Sequence, residues 1–487
     1  MSDSSNIIES DKRLSKSLIW DLQTRFYKAH GIDFWKRRAA FPTADMLVVS
    51  ACVDLVVTSL KERLNDIDSR HPIYLIELGS GSGCFAFRFM QELFLQLQSC
   101  AELSVLDLRY VMTDFIPEII SVWKDNQFLK SFRERQKLDF CLFNPDSDEE
   151  PLSTSCHCWK IEFQHLENAP IFIANALFDT IAVDGFTFSS GQAAEILVSI
   201  EGNILDPMSS LLDNSLTLHQ SNGAVVRLPY YNDPDLDAVL QVYLEQFENG
   251  ALSIPVQSLS ILQNLRRLTR NEMYLLCCSR GFTDLQGASG TTHLPYYDLS
   301  FPLNFDALQK YFAIAGGELV LPADLHSSAT QCLAFGVLKR ENGESSTLLS
   351  GKCQAITNSW LERTRVVAQK LQALETLSAS SGAATSIDSF LDIISYGHFD
   401  PLLFLKCTAK LIDGMESELP TTDETRKAKL RDALKSVDAN IYTFDGAVPF
   451  VANMDNLHDL FANLIRVWQR ATAAHHQPIG RAFFAME

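Results

Sequence analysis

The residues with the plainest chemical content lie in Ile73-Tyr74-Leu75-Ile76-Glu77-Leu78-Gly79-Ser80-Gly81-Ser82-Gly83. An apolar run ends in a carboxylate, and three glycines then alternate with serines before a helical stretch opens at Cys84. Glycine permits dihedrals that other residues avoid and lets a ligand approach the backbone closely. A helix starting there presents free amide groups. Two nucleotide-binding loops use this geometry. The dinucleotide form, G-x-G-x-x-G, seats a pyrophosphate at the helix start, but the residue three after Gly81 is Cys84. The other form has an acid two before the first glycine and a G-x-G-x-G rhythm, which Glu77, Gly79, Gly81 and Gly83 supply. A carboxylate attracts a ligand bearing ammonium and sulfonium groups and repels a pyrophosphate. The loop, Ser80 included, therefore points to S-adenosylmethionine as cofactor, with an ordinary strand-to-helix turn as the plain alternative.

These residues need a sheet to hold them. Ile73–Leu78 reads as a compact buried strand, and Cys84–Leu97 as the helix behind the glycine turn. Arg109–Thr113 is a second strand, ending at Asp114. That carboxylate can meet ribose hydroxyls, or it can cap the helix that starts near Pro117. Leu138–Phe143 is a third strand and leaves Asn144 where an adenine edge would lie. Ile171–Ala174 is a fourth, with Asn175 and Asp179 just beyond its end. There Asn175 can hold a methyl acceptor through its carbonyl, and Asp179 can serve as base or orienter. Loop capping is the competing role for both. Asn271–Cys278 and Gln331–Leu338 complete the strands. Strands alternating with helices imply an α/β fold with a parallel, doubly wound sheet.

Three further regions surround that sheet. Residues 1–70 read as a helical cap, with apolar residues at helical spacing from Asp45 to Leu64 and a stop at His71-Pro72. Alternating segments at Ala194–Ile200 and Ala224–Leu228 mark a strand-rich insertion near 186–230. A polar stretch, Arg340–Thr347, separates the 71–340 unit from a helical region, 341–487. In that region Asp400-Pro401 forms a cap and first turn, and Leu457, Leu460, Phe461, Leu464, Val467 and Trp468 share a stripe.

The bulk numbers narrow the function. Forty-one basic against 60 acidic residues give a net charge of −19, which argues against nucleic acid, whose phosphates require clustered Lys and Arg. A basic protein partner is compatible with that charge. The start, MSDSSNIIESDKR, has no secretory pattern. Met46–Val57 contains Asp54 and is too short to span a bilayer. Eleven scattered cysteines fit reduced thiols in a cytosol-like compartment. Cys156-His157-Cys158 lacks a second ligand pair, so no metal site is expected.

Four stretches together resemble the MidA-like family of S-adenosylmethionine-dependent methyltransferases, whose mitochondrial members act on arginine of a respiratory-complex subunit. They are the Glu77–Gly83 loop, Pro170–Asp179, Tyr274–Phe282 and Leu299–Leu308, and they fall in order within residues 40–340. The resemblance implies a Rossmann-like class I fold and the same cofactor, while the insertion and helical tail, which enlarge the surface around the site, point to a protein side chain as methyl acceptor. It also shows departures. Ala176 stands where the family has glutamate, Cys278-Ser279-Arg280 replaces an acidic turn, and Asn304 replaces an aspartate common among members. These losses support a second possibility, an inactive relative that holds a protein partner.

Overall fold

A computed structural model of the chain describes residues 6–37, 44–145, 152, 156–203, 216–283, 294, 300–323, 330–338, 349, 351–377, 386–418 and 422–442. In chain order the elements begin with β1 (Asn6–Arg13), α1 (Leu18–Arg37), α2 (Met46–Glu62), β2 (Ile73–Glu77), α3 (Cys84–Ser99) and β3 (Leu108–Asp114). Next come α4 (Pro117–Asp125), α5 (Gln127–Glu134), β4 (Leu138–Leu142), β5 (Ile171–Asn175), β6 (Asp184–Ser189), β7 (Gln192–Gly202) and β8 (Thr217–Val225). Then follow α6 (Pro234–Gln246), β9 (Gly250–Ile254), α7 (Val256–Leu268), β10 (Met273–Phe282), β11 (Leu303–Asn304) and α8 (Phe305–Ile314). The last are β12 (Glu318–Val320), β13 (Thr330–Leu338), α9 (Gly351–Leu377), α10 (Ser386–Tyr396), α11 (Pro401–Glu418) and α12 (Glu424–Ala439).

The main sheet runs β12-β13-β10-β5-β2-β3-β4, with β11 paired to the end of β10. β10, β5, β2, β3 and β4 are parallel, while β13 is antiparallel to β10 and β12 antiparallel to β13. Chain order thus reverses direction between β2 and β5, the switch point where open α/β sheets place ligands beyond the carboxyl ends of the strands. β2 is buried along its whole length, as expected of a parallel strand covered on both faces. This is the doubly wound α/β sheet expected from the sequence, with two antiparallel strands at one edge.

The insertion and the N-terminus fold together. β1-β7-β6-β9, with β8 on the other edge of β7, make an antiparallel sheet. Its own small core joins Leu14, Val183, Ile196, Val198, Ala251, Leu294 and Phe301. Residues 6–13, expected to be helical, are therefore a strand, with Asn6 opposite Gly202 and Arg13 opposite Leu197. A polar octet has no stripe to bury as a helix, and its backbone is satisfied by a partner far along the chain. Two boundaries also differ from expectation. α2 ends at Glu62, nine residues before His71, and β10 carries on through Ser279 and Arg280 because Cys332 and Gln331 of β13 pair with them.

At the other end of the chain, α9 packs on α2. Trp360, Ile387, Phe390, Phe404, Leu434 and Tyr442 belong to the same continuous core as β2 and β3. Pro401 does open a helix, and Asp400 caps it by accepting from Leu403 N at 2.9 Å. The expected boundary at 340–347 and the Leu457–Trp468 stripe lie outside the described residues. Among the described residues no helix is long and apolar enough to cross a membrane.

Candidate cofactor and acceptor site

Local chemistry builds the loop as the sequence requires. Gly79, Gly81 and Gly83 have φ of 67°, 51° and 79°, the left-handed region that favours glycine. The turn is sewn to the sheet: Leu78 N donates to Ile173 O at 2.8 Å and Ser80 N to Thr113 O at 2.7 Å. Gly83 N closes the turn on Ser80 O at 2.9 Å, and Phe87 N donates to Gly83 O at 3.0 Å, opening α3. Gly79 also meets a contact that the sequence did not announce, since a Cβ there would lie 3.2 Å from Leu177 Cδ1.

The two acids sit beneath this turn. Glu77 is 1% exposed and accepts a hydrogen bond from Tyr110 OH at 3.1 Å. Burial pushes its carboxyl up to about 7, with Asp114 adding to the rise and the Tyr110 bond opposing it. Asp114 accepts from Gly81 N at 3.1 Å and from Ile116 N at 3.0 Å. It steadies the glycine loop and holds the backbone at the approach to α4. Burial raises it to about 6, against the backbone amides that hold it down. Among the described residues no Lys, Arg or His contributes to either value.

Across the switch point, Asn175 ends β5 opposite Cys278 of β10. Its Oδ1 is buried and has no hydrogen-bond partner among the described residues. Asp179 is buried too, and its Oδ1 is likewise unpartnered. Burial lifts this carboxyl to about 6, although Arg280 acts to lower it. Between them the chain leaves the sheet at Ala176, whose φ is 51° and whose N–H donates to Cys278 O at 2.7 Å. A glutamate there would need the same strained backbone. Ser279, which replaces a family acid, is wholly buried beside this group.

An open cleft of about 900 Å³ lies at the carboxyl edge of the sheet. Its sheet side is formed by Phe115, Phe143, exposed Asn144, Leu177 and Thr180, and its other wall by Lys16, Trp20, Tyr27 and Lys28. Gln23 Nε2 donates to Thr180 O at 2.8 Å and ties that wall to the sheet. Asn144 thus lines the cleft. Leu177 connects it to Gly79, but Glu77, Gly79, Ser80, Gly81, Gly83, Asp114, Asn175 and Asp179 are not themselves part of its lining.

The chemistry of the donor set fits S-adenosylmethionine. Two buried carboxylates without a cationic side chain can accept an ammonium or sulfonium ion, the unpartnered Asn175 Oδ1 lies across the switch point, and three glycines supply the left-handed turn that joins them. Sequence reasoning did not find Tyr110, Trp123, Leu177 or Tyr442 near the loop. Only Tyr110 left a signal, since it precedes Met112 and Asp114 by two and four residues on the same alternating strand.

Residues 56–278 match the model of a family described as "Putative S-adenosyl-L-methionine-dependent methyltransferase". The match spans the glycine loop, Asp114, Asn144, Asn175 and Asp179. Over that span the chain is similar to this family, whose description names S-adenosyl-L-methionine as its cofactor. It is also similar to two superfamily structures from Burkholderia thailandensis. One, uncharacterized, has 11% identity over 68% of this chain and 96% of that one, with a TM-score of 0.37. The other is bound to S-adenosyl-homocysteine and has 12% identity over 64% and 80%, with a TM-score of 0.34. Phosphoethanolamine N-methyltransferase 1 of Haemonchus contortus has 9% identity over 78% and 59%, with a TM-score of 0.30. No curated protein matches the chain.

Proposed function

We propose that this chain transfers a methyl group from S-adenosylmethionine to a protein side chain. The observation that carries the reading is the pair of buried carboxylates, Glu77 and Asp114, left without a cation at the carboxyl ends of β2 and β3. Glu77, Gly79, Ser80, Gly81, Gly83, Asp114 and Asn144 would hold the cofactor, which when bound supplies a methyl group on a cationic sulfur. Asn175 Oδ1 then takes a hydrogen bond from the acceptor and orients its lone pair. Asp179, with a carboxyl near 6, is mostly ionised at neutral pH and takes the proton that the acceptor loses. The open cleft and the neighbouring second sheet give room for a polypeptide rather than a small acceptor. The acidic balance argues against nucleic acid as partner, and the scattered thiols suit a reducing, cytosol-like compartment.

A second reading is binding without turnover, favoured by Ala176 in place of the family's glutamate and by Leu177 lying against Gly79. Calorimetric titration with S-adenosylmethionine and S-adenosylhomocysteine, repeated on Gly81→Arg, tests the cofactor site. Micromolar binding that this substitution abolishes is expected, and no binding by folded wild type would sink the reading. Transfer of labelled methyl groups to a panel of basic proteins tests turnover. Asn175→Ala and Asp179→Asn should each lower it by on the order of 100-fold while cofactor binding persists. Binding with no transfer to any protein supports the second reading, and unchanged transfer in both variants removes these residues from the site.

A further inference from the structure

The third glycine of the loop faces the C-terminal helical unit. Gly83 has φ 79° and ψ 0° and starts α3 without a side-chain cap. A Cβ built on it would stand 3.0 Å from Tyr442 Oη, 3.0 Å from Met112 Cε and 3.4 Å from Trp123 Nε1. Trp123 Nε1 donates to Gly81 O at 3.1 Å, so the loop is gripped at two successive glycines. Tyr442 is 4% exposed, and its hydroxyl accepts from Asn126 Nδ2 at 3.1 Å. Its ring packs on Phe87 and Phe128 at 5.5 and 5.6 Å.

The backbone leading to Tyr442 is fixed as firmly. Arg88, on the helix that follows the loop, donates through Nε to Asn440 O at 2.9 Å. The same guanidinium bonds to Ala44 O and lies 3.8 Å from Asp400, which accepts from Met46 N at 3.1 Å. One buried knot thus joins the start of α2, the first turns of α3 and the last described turn of the chain. A side chain at position 83 is excluded by this knot as well as by φ, so the glycine answers to the C-terminal unit.

We propose that Tyr442 is a positioning residue of the cofactor loop, and that the C-terminal helical unit completes the cofactor site instead of forming a separate module. The inference rests on the cofactor reading above. Tyr442 does not reach the cleft. It acts by holding Gly83, and with Trp123 it keeps the loop in the one turn conformation that its bonds to the sheet define. Ordering the loop before binding spares the complex that entropic cost.

The test is calorimetric titration of the full chain with S-adenosylhomocysteine, with thermal unfolding and hydrogen exchange of the loop peptides measured in parallel. Tyr442→Phe removes only the hydroxyl. It should bind about fivefold more weakly, the worth of one buried hydrogen bond, while Tm moves by no more than ~2 °C. Tyr442→Ala should bind on the order of 50-fold more weakly and speed exchange at Gly79–Phe87. Phe390→Leu, which loosens the helical unit where it packs on Phe404, should lower Tm and leave the affinity unchanged. A merely structural Tyr442 would move affinity only along with Tm. If wild type binds and Tyr442→Phe and Tyr442→Ala both bind within twofold of it, the proposal falls and the cofactor reading stands. If wild type does not bind, the cofactor reading fails and takes this inference with it.

Discussion

Asp184 and the Glu77–Asp114 pair are buried carboxylates of the same chain, and they are settled in opposite ways. Asp184, at the start of β6, has a side chain 1% exposed and meets Arg13 of β1. Arg13 Nε donates to Oδ2 at 2.8 Å, a second guanidinium nitrogen bonds to the same oxygen, and Ser15 N donates to Oδ1 at 3.0 Å. The guanidinium also lies over Tyr230 and Tyr231, 4.6 and 4.9 Å from their ring centres. Burial alone would lower the Arg13 pKa, but Asp184 more than offsets it and the net shift is upward. The charge is closed inside the chain. Glu77 and Asp114 receive hydroxyl and amide donors only, and both carboxyls stay above the usual range. An acid matched by its own arginine holds a scaffold together, here the segment from Ser15 to Ser17 that walls the cleft. An acid left unmatched invites a cation from outside.

Breaking the closed pair should have the largest effect. Arg13→Ala leaves Asp184 buried without its cation and should lower unfolding free energy by about 3 kcal/mol, read by urea denaturation. A loss below ~1 kcal/mol would mean that solvent reaches Asp184 and that the contrast is weaker than the geometry implies. The open acids should behave in reverse. Glu77→Gln or Asp114→Asn removes an uncompensated buried charge, so the free protein should keep or gain stability. Affinity for S-adenosylmethionine should nevertheless drop roughly 30-fold, or about 2 kcal/mol. Equal loss of stability in these variants and in Arg13→Ala would erase the distinction.

The smallest and most diagnostic effect is with pH. Glu77 and Asp114 hold protons more tightly folded than unfolded. Their contribution to stability is therefore greatest below their ordinary values near 4, declines as pH rises, and is lost once pH passes about 6 for Asp114 and about 7 for Glu77. Cofactor affinity should move the other way and rise severalfold between pH 6 and 8 as the carboxylates ionise. Calorimetry across that range in wild type and Glu77→Gln checks the sign, and the variant should lose most of the rise. A flat wild-type profile would show that the cation is not held by these groups.

Much of the sheet was legible because its strands are short apolar runs bounded by glycine, proline and polar turns. Ile73–Glu77 and Leu138–Leu142 fall within a residue of where periodicity placed them. Residues 6–13 were not legible, since a polar edge strand carries little pattern and its partner β7 lies in a distant insertion. The extension of β10 through Arg280 was hidden for a similar reason, as β13 supplies the pairing. Within the candidate site, the sequence pointed to Glu77, Asp114, Asn144, Asn175 and Asp179 through their places at strand ends. It was silent on Leu177 against Gly79 and on Tyr442 against Gly83.

The sequence by itself determined the strand, acid, glycine and helix of the loop, because φ preference, burial and hydrogen bonding there act between near neighbours. It also determined which strand ends carry polar groups. The tertiary structure alone decided which of the buried acids would be closed by an arginine and which left open. It decided too that the last described turn of the chain would support the first glycine loop. Those outcomes depend on contacts between residues hundreds of positions apart, such as Arg13 with Asp184 and Gly83 with Tyr442. No local preference encodes such contacts, and only the packing of the whole core brings them together.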